Sequence, residues 1–354
     1  MRARPPIAVF RADASAQLGA GHISRCAVIA EALRGQGWQT AFAVNAAAPD
    51  LVPSLAMQNE ILFCDPDPEI AAAQIRAAWP DGITALLVDH YGLGADFESR
   101  FVGFADRRVA LDDLPDRAHD VDILIDPNLG HAAVDFSARV PVGARVLQGT
   151  AYAPLRPDFA ASRPGCLRRR ETAGPPRRLL LSLGGMDGRN LLPTVLQTLE
   201  VLESTIPVDL AVGSATPNRA AIEATAEAVT YPLHLHWDAP HMADLMASAD
   251  LSIGSGGVMS WERCCLGLPS LILLIADNQV AAGGALAAAG AAIVLDARKG
   301  LDVQAFGKAL APLLRGEGVW EMSQRASDIC DGQGVRRILE AIHAALSGSK
   351  AGGG

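Results

Sequence analysis

Short apolar segments alternate with helix-like segments along most of the chain, and this alternation restricts the fold more than any other feature of the sequence. Ile7–Phe10, Thr40–Val44 and Ala85–Val88 are typical of buried strands, and apolar residues at helical spacing run from Ile23 to Arg34. Short apolar strands that alternate with helices indicate a parallel sheet with helices on both of its faces. The sequence therefore predicts an α/β protein.

The same rhythm starts again in the second half of the chain. Leu179–Leu183, Val208–Val212 and Leu251–Ile253 are predicted strands, and a chain of 354 residues exceeds the usual size of one hydrophobic core. We predict two Rossmann-like domains that face a cleft. The predicted division is an N-terminal domain at 1–160, an irregular polar linker at 161–177, a second domain at 178–325, and a C-terminal helix with a flexible tail at 326–354.

Charge and composition exclude several classes of protein. A net charge of −9 argues against a nucleic-acid partner, whose phosphates an acidic surface repels. No apolar segment approaches the ~20 residues needed to cross a bilayer, and no signal-peptide pattern is visible. The six cysteines lack C-x-x-C spacing and are expected to be buried thiols. We expect a cytoplasmic monomer with no membrane insertion, no metal and no cofactor.

Polar and glycine residues follow the first strand and precede the first helix. Gly19 and Gly21 permit close backbone approach to an anionic or oxygen-rich ligand, although a plain tight turn has the same composition. His22 stands at the helix start, where the helix dipole disfavours a protonated imidazole and so favours a general base. Asp13 could orient that imidazole or bind a sugar hydroxyl. Arg11 and Arg25 could neutralise phosphate or pair with nearby carboxylates.

Further polar clusters fall at other predicted strand ends. Asp89-His-Tyr-Gly92 ends one strand, whereas Asp112-Asp113 and Asp126 are more typical of helix caps than of metal ligands. In the second half, Ser255-Gly-Gly257 indicates a diphosphate site, and Glu262 could accept hydrogen bonds from both hydroxyls of a ribose. The remaining candidates in this half are Gly184, Gly185, Asp187, Asn190, Asn278 and Gln279. Since ligands bind at the carboxyl ends of parallel strands, this series favours a binding site over isolated structural roles.

A set of motifs in this order resembles one enzyme family. The motifs are Arg11-Ala-Asp-Ala-Ser15, Leu18-Gly-Ala-Gly-His22, Val88-Asp-His-Tyr-Gly92, Asp112-Asp-Leu114, Tyr152-Ala-Pro-Leu-Arg156, Ser182-Leu-Gly-Gly-Met-Asp187, Gly254-Ser-Gly-Gly257, Trp261-Glu-Arg263 and Asn278-Gln279. They are similar to those of the UDP-2,4-diacetamido-2,4,6-trideoxy-β-L-altropyranose hydrolases of pseudaminic acid biosynthesis. The second half also resembles the donor-binding half of GT-B glycosyltransferases.

The resemblance implies a GT-B-like pair of domains and metal-independent hydrolysis of the UDP-sugar at its anomeric carbon. It places the family's proton-accepting histidine on His22, its tyrosine near the sugar on Tyr91 and its sugar-contacting asparagine on Asn278. With Asp13, these are the predicted catalytic residues. The predicted substrate-binding residues are Arg11, Ser15, Gly19, Gly21, Arg25, Tyr152, Arg156, Gly184, Gly185, Asp187, Asn190, Ser255, Gly256, Gly257, Glu262, Asn278 and Gln279.

Two other interpretations stay open at this point. A GT-B glycosyltransferase would use the same UDP-sugar donor but would need a surface for an acceptor. A non-catalytic protein that binds a nucleotide sugar would need no base. The sequence also continues beyond Ala297 for longer than compact members of the family do.

Overall fold

A computed structural model describes residues 5–15, 19–52, 55–114, 116–130, 136–172 and 174–348 of the chain. The end of the flexible tail predicted for 326–354 lies outside these residues. The chain divides into two compact units. Unit 1 contains the described residues up to Leu155 together with those from Gln333 onward, and unit 2 is Arg156–Gly332.

Unit 1 is built on a seven-stranded parallel sheet with the order β3-β2-β1-β4-β5-β6-β7. Its strands are β1 (Ile7–Ala12), β2 (Gln39–Val44), β3 (Glu60–Phe63), β4 (Ile83–Asp89), β5 (Ala105–Leu111), β6 (Ile123–Asp126) and β7 (Arg145–Gln148). Its helices are α1 (Gly21–Gly35), α2 (Ala48–Leu51), α3 (Leu55–Gln58), α4 (Pro68–Ala78), α5 (Ala95–Glu98) and, after unit 2, α14 (Gly334–Gly348).

Unit 2 is built on a six-stranded parallel sheet with the order β10-β9-β8-β11-β12-β13. Its strands are β8 (Leu179–Ser182), β9 (Val208–Val212), β10 (Leu233–Trp237), β11 (Leu251–Ser255), β12 (Ser270–Leu274) and β13 (Ile293–Asp296). Its helices are α6 (Pro157–Arg170), α7 (Leu192–Val201), α8 (Arg219–Ala228), α9 (Met242–Ser248), α10 (Met259–Cys265), α11 (Val280–Ala288), α12 (Val303–Leu314) and α13 (Val319–Ile329).

The central strands are buried because helices cover both faces of each sheet. Every residue of β1 is buried, and Phe10 from this strand stacks on Phe42 of β2 with ring centroids 4.9 Å apart. In unit 2 all residues of β11 and β12 are buried. The predicted pair of parallel α/β domains is confirmed. Among the described residues, no helix has the length and apolar character that crossing a bilayer requires.

The structure differs from the expected linker at 161–177, because α6 occupies most of that segment. Its prolines and arginines hid the helix from the sequence pattern, since arginine side chains here take the place of apolar ones. Arg163 donates to the carbonyls of Cys265 and Cys330, and Arg170 donates to the carbonyls of Leu266 and Ala249. The helix is therefore held to unit 2 by hydrogen bonds from guanidinium groups.

The last helix, predicted as a separate element within 326–354, belongs to the core of unit 1. Ile338, Leu339 and Ile342 of α14 are buried in the same cluster as the residues of α1. A side-chain carbon at Gly334 would lie 2.1 Å from the carbonyl oxygen of Ala153, so only glycine permits this close approach. Unit 1 is thus formed from two separate stretches of the chain.

Both sheets reverse their strand order at one internal point. In unit 1 the reversal lies between β1 and β4, where Ala12 pairs with Asp89. In unit 2 it lies between β8 and β11, where Ser182 pairs with Gly254. Crevices that bind ligands form at the carboxyl ends of strands at such reversals. The fold therefore marks one position in each unit as a candidate site.

Candidate functional site

His22 lies at the strand reversal of unit 1, in the first turn of α1. Its side chain is buried, and Nδ1 is hydrogen-bonded to Oδ1 of Asp89, the last residue of β4. Within the part of the chain that the structure describes, Nε2 has no hydrogen-bond partner. A carboxylate on Nδ1 holds the proton on that nitrogen and leaves the Nε2 lone pair available. This arrangement presents a base.

A closed ring of side chains surrounds His22. The Arg25 guanidinium donates from Nε and Nη2 to both oxygens of Asp89, at 2.5 and 2.6 Å, and from Nη1 to Asp113 at 3.1 Å. The Tyr91 hydroxyl donates to Asp113 at 3.4 Å, and its ring meets that of His22 edge-on with centroids 4.5 Å apart. These four side chains therefore hold the imidazole of His22, with Asp89 bonded to Nδ1 and Tyr91 packed against the ring.

Neighbouring opposite charges keep Asp89 and Arg25 ionised in spite of their burial. Burial alone would raise the pKa of Asp89, but Arg25 and His22 hold it well below its usual range. Burial likewise works against the charge of Arg25, whose pKa is raised by Asp89 and Asp113. Asp89 is consequently ionised at neutral pH, as an orienting carboxylate must be.

Asp13 does not orient His22, which corrects one of the two roles that the sequence left open. Its carboxylate forms an ion pair with Arg11 and accepts hydrogen bonds from the backbone N–H of Asn45 at 2.8 Å and from Nε2 of His90 at 3.2 Å. Although burial would raise the pKa of Asp13, hydrogen bonds from His90 and Arg11 lower it below its usual range. Ser15 and Gly19 close the adjoining turn with a 2.8 Å backbone hydrogen bond.

A second buried histidine in unit 1 lies between two carboxylates. His119 is bonded through Nδ1 to Glu98 and through Nε2 to Asp112, both at 2.8 Å. Although burial would lower the pKa of His119, the two carboxylates raise it to about 9. Asp112 also pairs with Arg117 at 3.0 Å. Asp112 thus belongs to a buried charge network, whereas the sequence pattern indicated a helix cap.

The strand reversal of unit 2 is lined by glycine turns. Gly184 follows β8 with φ +106°, and a side-chain carbon there would lie 4.0 Å from Oγ of Ser255, so the two turns are neighbours. Beside Gly185 and Gly257 the space that a side-chain carbon would take is open to at least 4 Å. These turns leave backbone exposed where a ligand can approach.

Asp187 and Asn190 shape the first of these turns. The Asp187 carboxylate is buried and accepts hydrogen bonds from the backbone N–H groups of Leu191 and Leu192 at 2.9 and 2.8 Å, so it caps α7. Asn190 has φ 53°, a left-handed conformation that asparagine tolerates. Both residues therefore have a structural role in addition to the binding role predicted for them.

The second turn, Ser255–Gly257, is supported by a glutamine and followed in the chain by a buried carboxylate. Oε1 of Gln279 accepts from the backbone N–H of Gly256 at 3.2 Å and of Ile275 at 3.0 Å, while Asn278 lies in the same single helical turn as Gln279. Glu262 lies in α10, the helix that follows the Ser255–Gly257 turn, and its Oε2 is buried without a hydrogen-bond partner among the described residues. Burial raises the pKa of Glu262 to about 7, against the effect of nearby Arg156.

The sequence pattern missed several residues of these sites. Asp89 and Asp113 were in view as strand-end carboxylates but were not predicted to belong to the site, and Arg263 was only part of a motif. Their position after a buried strand was the available signal, since the carboxyl ends of β1, β4 and β5 meet at one edge of the sheet. Tyr152, by contrast, was predicted to bind substrate and packs against the core of unit 1.

Comparison with known proteins bears on both the fold and the chemistry. No protein-family profile matches the chain. It is 26% identical over 258 residues to the UDP-2,4-diacetamido-2,4,6-trideoxy-β-L-altropyranose hydrolase of Campylobacter jejuni, covering 73% of this chain and 88% of that protein. It is 30% identical over 165 residues to the spore coat polysaccharide biosynthesis protein SpsG of Bacillus subtilis, and so matches only about half (47%) of that relative's length.

Solved structures show the same architecture at low sequence identity. MurG of Acinetobacter baumannii superimposes with a TM-score of 0.66 at 14% identity, covering 96% of this chain and all of that one. The UDP-GlcNAc 2-epimerase of Neisseria meningitidis, solved with UDP-GlcNAc, gives a TM-score of 0.60 at 14% identity, with 96% of this chain and 100% of that chain covered. These similarities confirm the GT-B-like pair of Rossmann-like domains.

Proposed function

We propose that this protein hydrolyses UDP-2,4-diacetamido-2,4,6-trideoxy-β-L-altropyranose to UDP and 2,4-diacetamido-2,4,6-trideoxy-L-altrose. Support for the substrate comes from the similarity to the Campylobacter hydrolase and from the motifs that carry it. Support for hydrolysis comes from the oriented base in unit 1. The observation that carries the proposal is the buried His22–Asp89 pair at a strand reversal, in which Nε2 of the imidazole has no hydrogen-bond partner among the described residues.

Unit 2 is the proposed binding site for UDP. In this proposal the diphosphate lies against the backbone of Gly184, Gly185 and Gly257, where a side-chain carbon would meet no atom closer than 4.0 Å. Glu262 has one buried oxygen that no described residue contacts by a hydrogen bond, and the ribose hydroxyls of UDP would supply the missing donors. Asn278 is the proposed neutral contact to the sugar.

The proposed reaction is an inverting attack by water on the anomeric carbon. Nε2 of His22 takes one proton from the water while the water oxygen bonds to that carbon. The bond from the carbon to the diphosphate oxygen breaks, and UDP leaves with the electron pair. Asp89 stabilises the imidazolium that forms, and Tyr91 keeps the ring in place. No metal has a part in this scheme.

Hydrolysis of the UDP-sugar in ¹⁸O-labelled water tests the proposal. We expect UDP and the free sugar as products, the label in the sugar, and the α anomer as the first sugar signal in NMR. Label in UDP would instead indicate attack at phosphorus and would remove the assigned role of His22. Intact substrate after long incubation would favour a protein that binds the nucleotide sugar without reaction.

Transfer of the sugar to an acceptor is the second candidate function. It is favoured by the similarity to a protein named for polysaccharide biosynthesis and by the occurrence of the same fold in glycosyltransferases. The two functions differ in their need for an acceptor. Release of UDP in buffer alone supports hydrolysis, whereas release only after addition of a carbohydrate acceptor supports transfer.

A further inference from the structure

Arg263 is a buried cation beneath the second glycine turn of unit 2. Its residue is 1% exposed, and only Nη2 of its guanidinium is engaged, by the Ser255 carbonyl at 2.5 Å and Oγ of Ser260 at 3.0 Å. Nε and Nη1 are buried and have no hydrogen-bond partner among the described residues. Most of the hydrogen-bonding capacity of this side chain is therefore unused.

The position of the guanidinium depends on a glycine in β11. A side-chain carbon at Gly254 would lie 2.2 Å from Nη1 of Arg263 and 3.2 Å from the carbonyl oxygen of Ser182. Any larger residue would push the guanidinium away from the two central strands. Gly254 and Arg263 thus form one arrangement in which a missing side chain makes room for a charge.

The charge of this guanidinium has no ion-pair partner in the part of the chain that the structure describes. Across the described residues no carboxylate forms an ion pair with Arg263, and only the neighbouring acidic groups of Cys264 and Glu262 act on its charge. Burial lowers the pKa of Arg263 to about 10, so the group stays protonated at neutral pH. A buried cation without a counter-charge costs free energy, which a nearby anion would recover.

We propose that Arg263 is a positioning residue that supports the Ser255–Gly257 turn and makes the turn select a diphosphate over a monophosphate or an uncharged nucleoside. The inference rests on the proposed binding of UDP by unit 2 and adds the origin of its charge selectivity. Arg263 fixes the carbonyl of Ser255, and its unbalanced charge attracts the anion placed against the turn. A diphosphate carries more negative charge than a monophosphate and gains more.

Binding of UDP, UMP and uridine by calorimetry tests this role. We expect Arg263→Met to lower the affinity for UDP about tenfold or more, to lower that for UMP less, and to change that for uridine little, since only charge is lost. Arg263→Lys should restore most of the UDP affinity. Gly254→Ala gives a second test, because the added carbon displaces the guanidinium while Arg263 remains in the chain.

Arg170→Met is the matched control. Arg170 is also buried in unit 2 and donates to backbone carbonyls, so its loss should affect stability without altering the order of the three affinities. An equal loss for all three ligands in Arg263→Met, or unchanged UDP affinity, would overturn the role of Arg263. If the wild-type protein binds none of the three, the UDP site and this inference both fail. Selective binding without hydrolysis removes only the proposed reaction.

Discussion

At the strand reversal of unit 1, Arg25 forms ion pairs with Asp89 and Asp113, whereas Glu262 and Arg263 of unit 2 form no ion pair among the described residues. In unit 1, Arg25 divides its hydrogen bonds between Asp89 and Asp113, and the ring closes on His22. In unit 2, Glu262 and Arg263 both retain buried polar atoms without partners among the described residues. In the first site Arg25, Asp89 and Asp113 are paired in the absence of a ligand, although Oδ1 of Asp113 has no hydrogen-bond partner among the described residues. In the second site, the proposal is that a ligand supplies the missing partners. This is the division expected between a group that performs chemistry and a pocket that binds an anion.

The largest expected effect is on the first site, through His22→Asn. Loss of the base should lower turnover by ~10²–10⁴-fold, because a positioned general base contributes about that much. The affinity for UDP should not change, since the proposed nucleotide site lies in the other unit. NMR measures the turnover and calorimetry measures the UDP affinity, so both parts of the prediction are checked. His234→Asn, at an exposed position in unit 2, is the control, and wild-type turnover in the His22 variant would refute the assignment.

Asp89→Asn breaks the closed ring from its centre. It leaves the buried Arg25 without its main counter-charge, so we expect a loss of about 3 kcal/mol in the free energy of unfolding, measured with urea. Turnover should fall too, because an asparagine can present an N–H to Nδ1 and favour the wrong tautomer. Asp116→Asn, whose carboxylate is exposed, should change stability little. A stable Asp89 variant would show that the ring is not self-supporting.

The charge network around His119 in unit 1 can be tested through the pH dependence of the free energy of unfolding. Its folded pKa of about 9 exceeds the ordinary 6.5, so its stabilisation is full below about pH 6.5 and is lost as pH rises through 9. One pKa unit corresponds to about 1.4 kcal/mol, which gives a loss of about 3 kcal/mol over this range. Urea unfolding at pH 6 and pH 9.5 measures it. In His119→Gln this part of the pH dependence should disappear, and an unchanged difference would contradict the assignment.

The smallest expected effect is that of Glu262→Gln in unit 2. Since burial raises the pKa of this carboxyl to about 7 and its Oε2 has no partner among the described residues, its removal should not lower the free energy of unfolding. UDP affinity should fall about tenfold, because a charged acceptor for the ribose hydroxyls is lost. With a pKa of about 7 for Glu262, wild-type affinity should decrease as pH falls through 7, and the variant should not show this decrease. Glu223→Gln, at an exposed ion pair, is the control.

Most of the fold could be predicted from the sequence, because the strands are continuous apolar runs. It predicted the strand Val208–Val212 with the bounds of β9, and the strand Leu251–Ile253, which the structure extends to Ser255 as β11. It did not predict α6, which is held by arginine hydrogen bonds, or α13. Neither segment has the strong apolar run on which the predictions relied.

Within the candidate sites, the sequence showed which strands end in polar residues but could not pair those residues. It offered Asp13 as a partner of His22, because Asp13 is near in the chain, yet the partner is Asp89, which lies 67 residues away. Only the adjacency of β1 and β4 brings these side chains together. The pairing is a property of strand order, which one sequence does not display.

The discontinuity of unit 1 has a consequence for biosynthesis. Helix α14 buries Ile338, Leu339 and Ile342 against the core of unit 1, and Arg107 of β5 donates to the carbonyl of Ala345 in its last turn. A ribosome delivers this helix only after all of unit 2. The nascent N-terminal part of unit 1 therefore emerges with an uncovered apolar face, and the chain can cover it only after unit 2 has been synthesised.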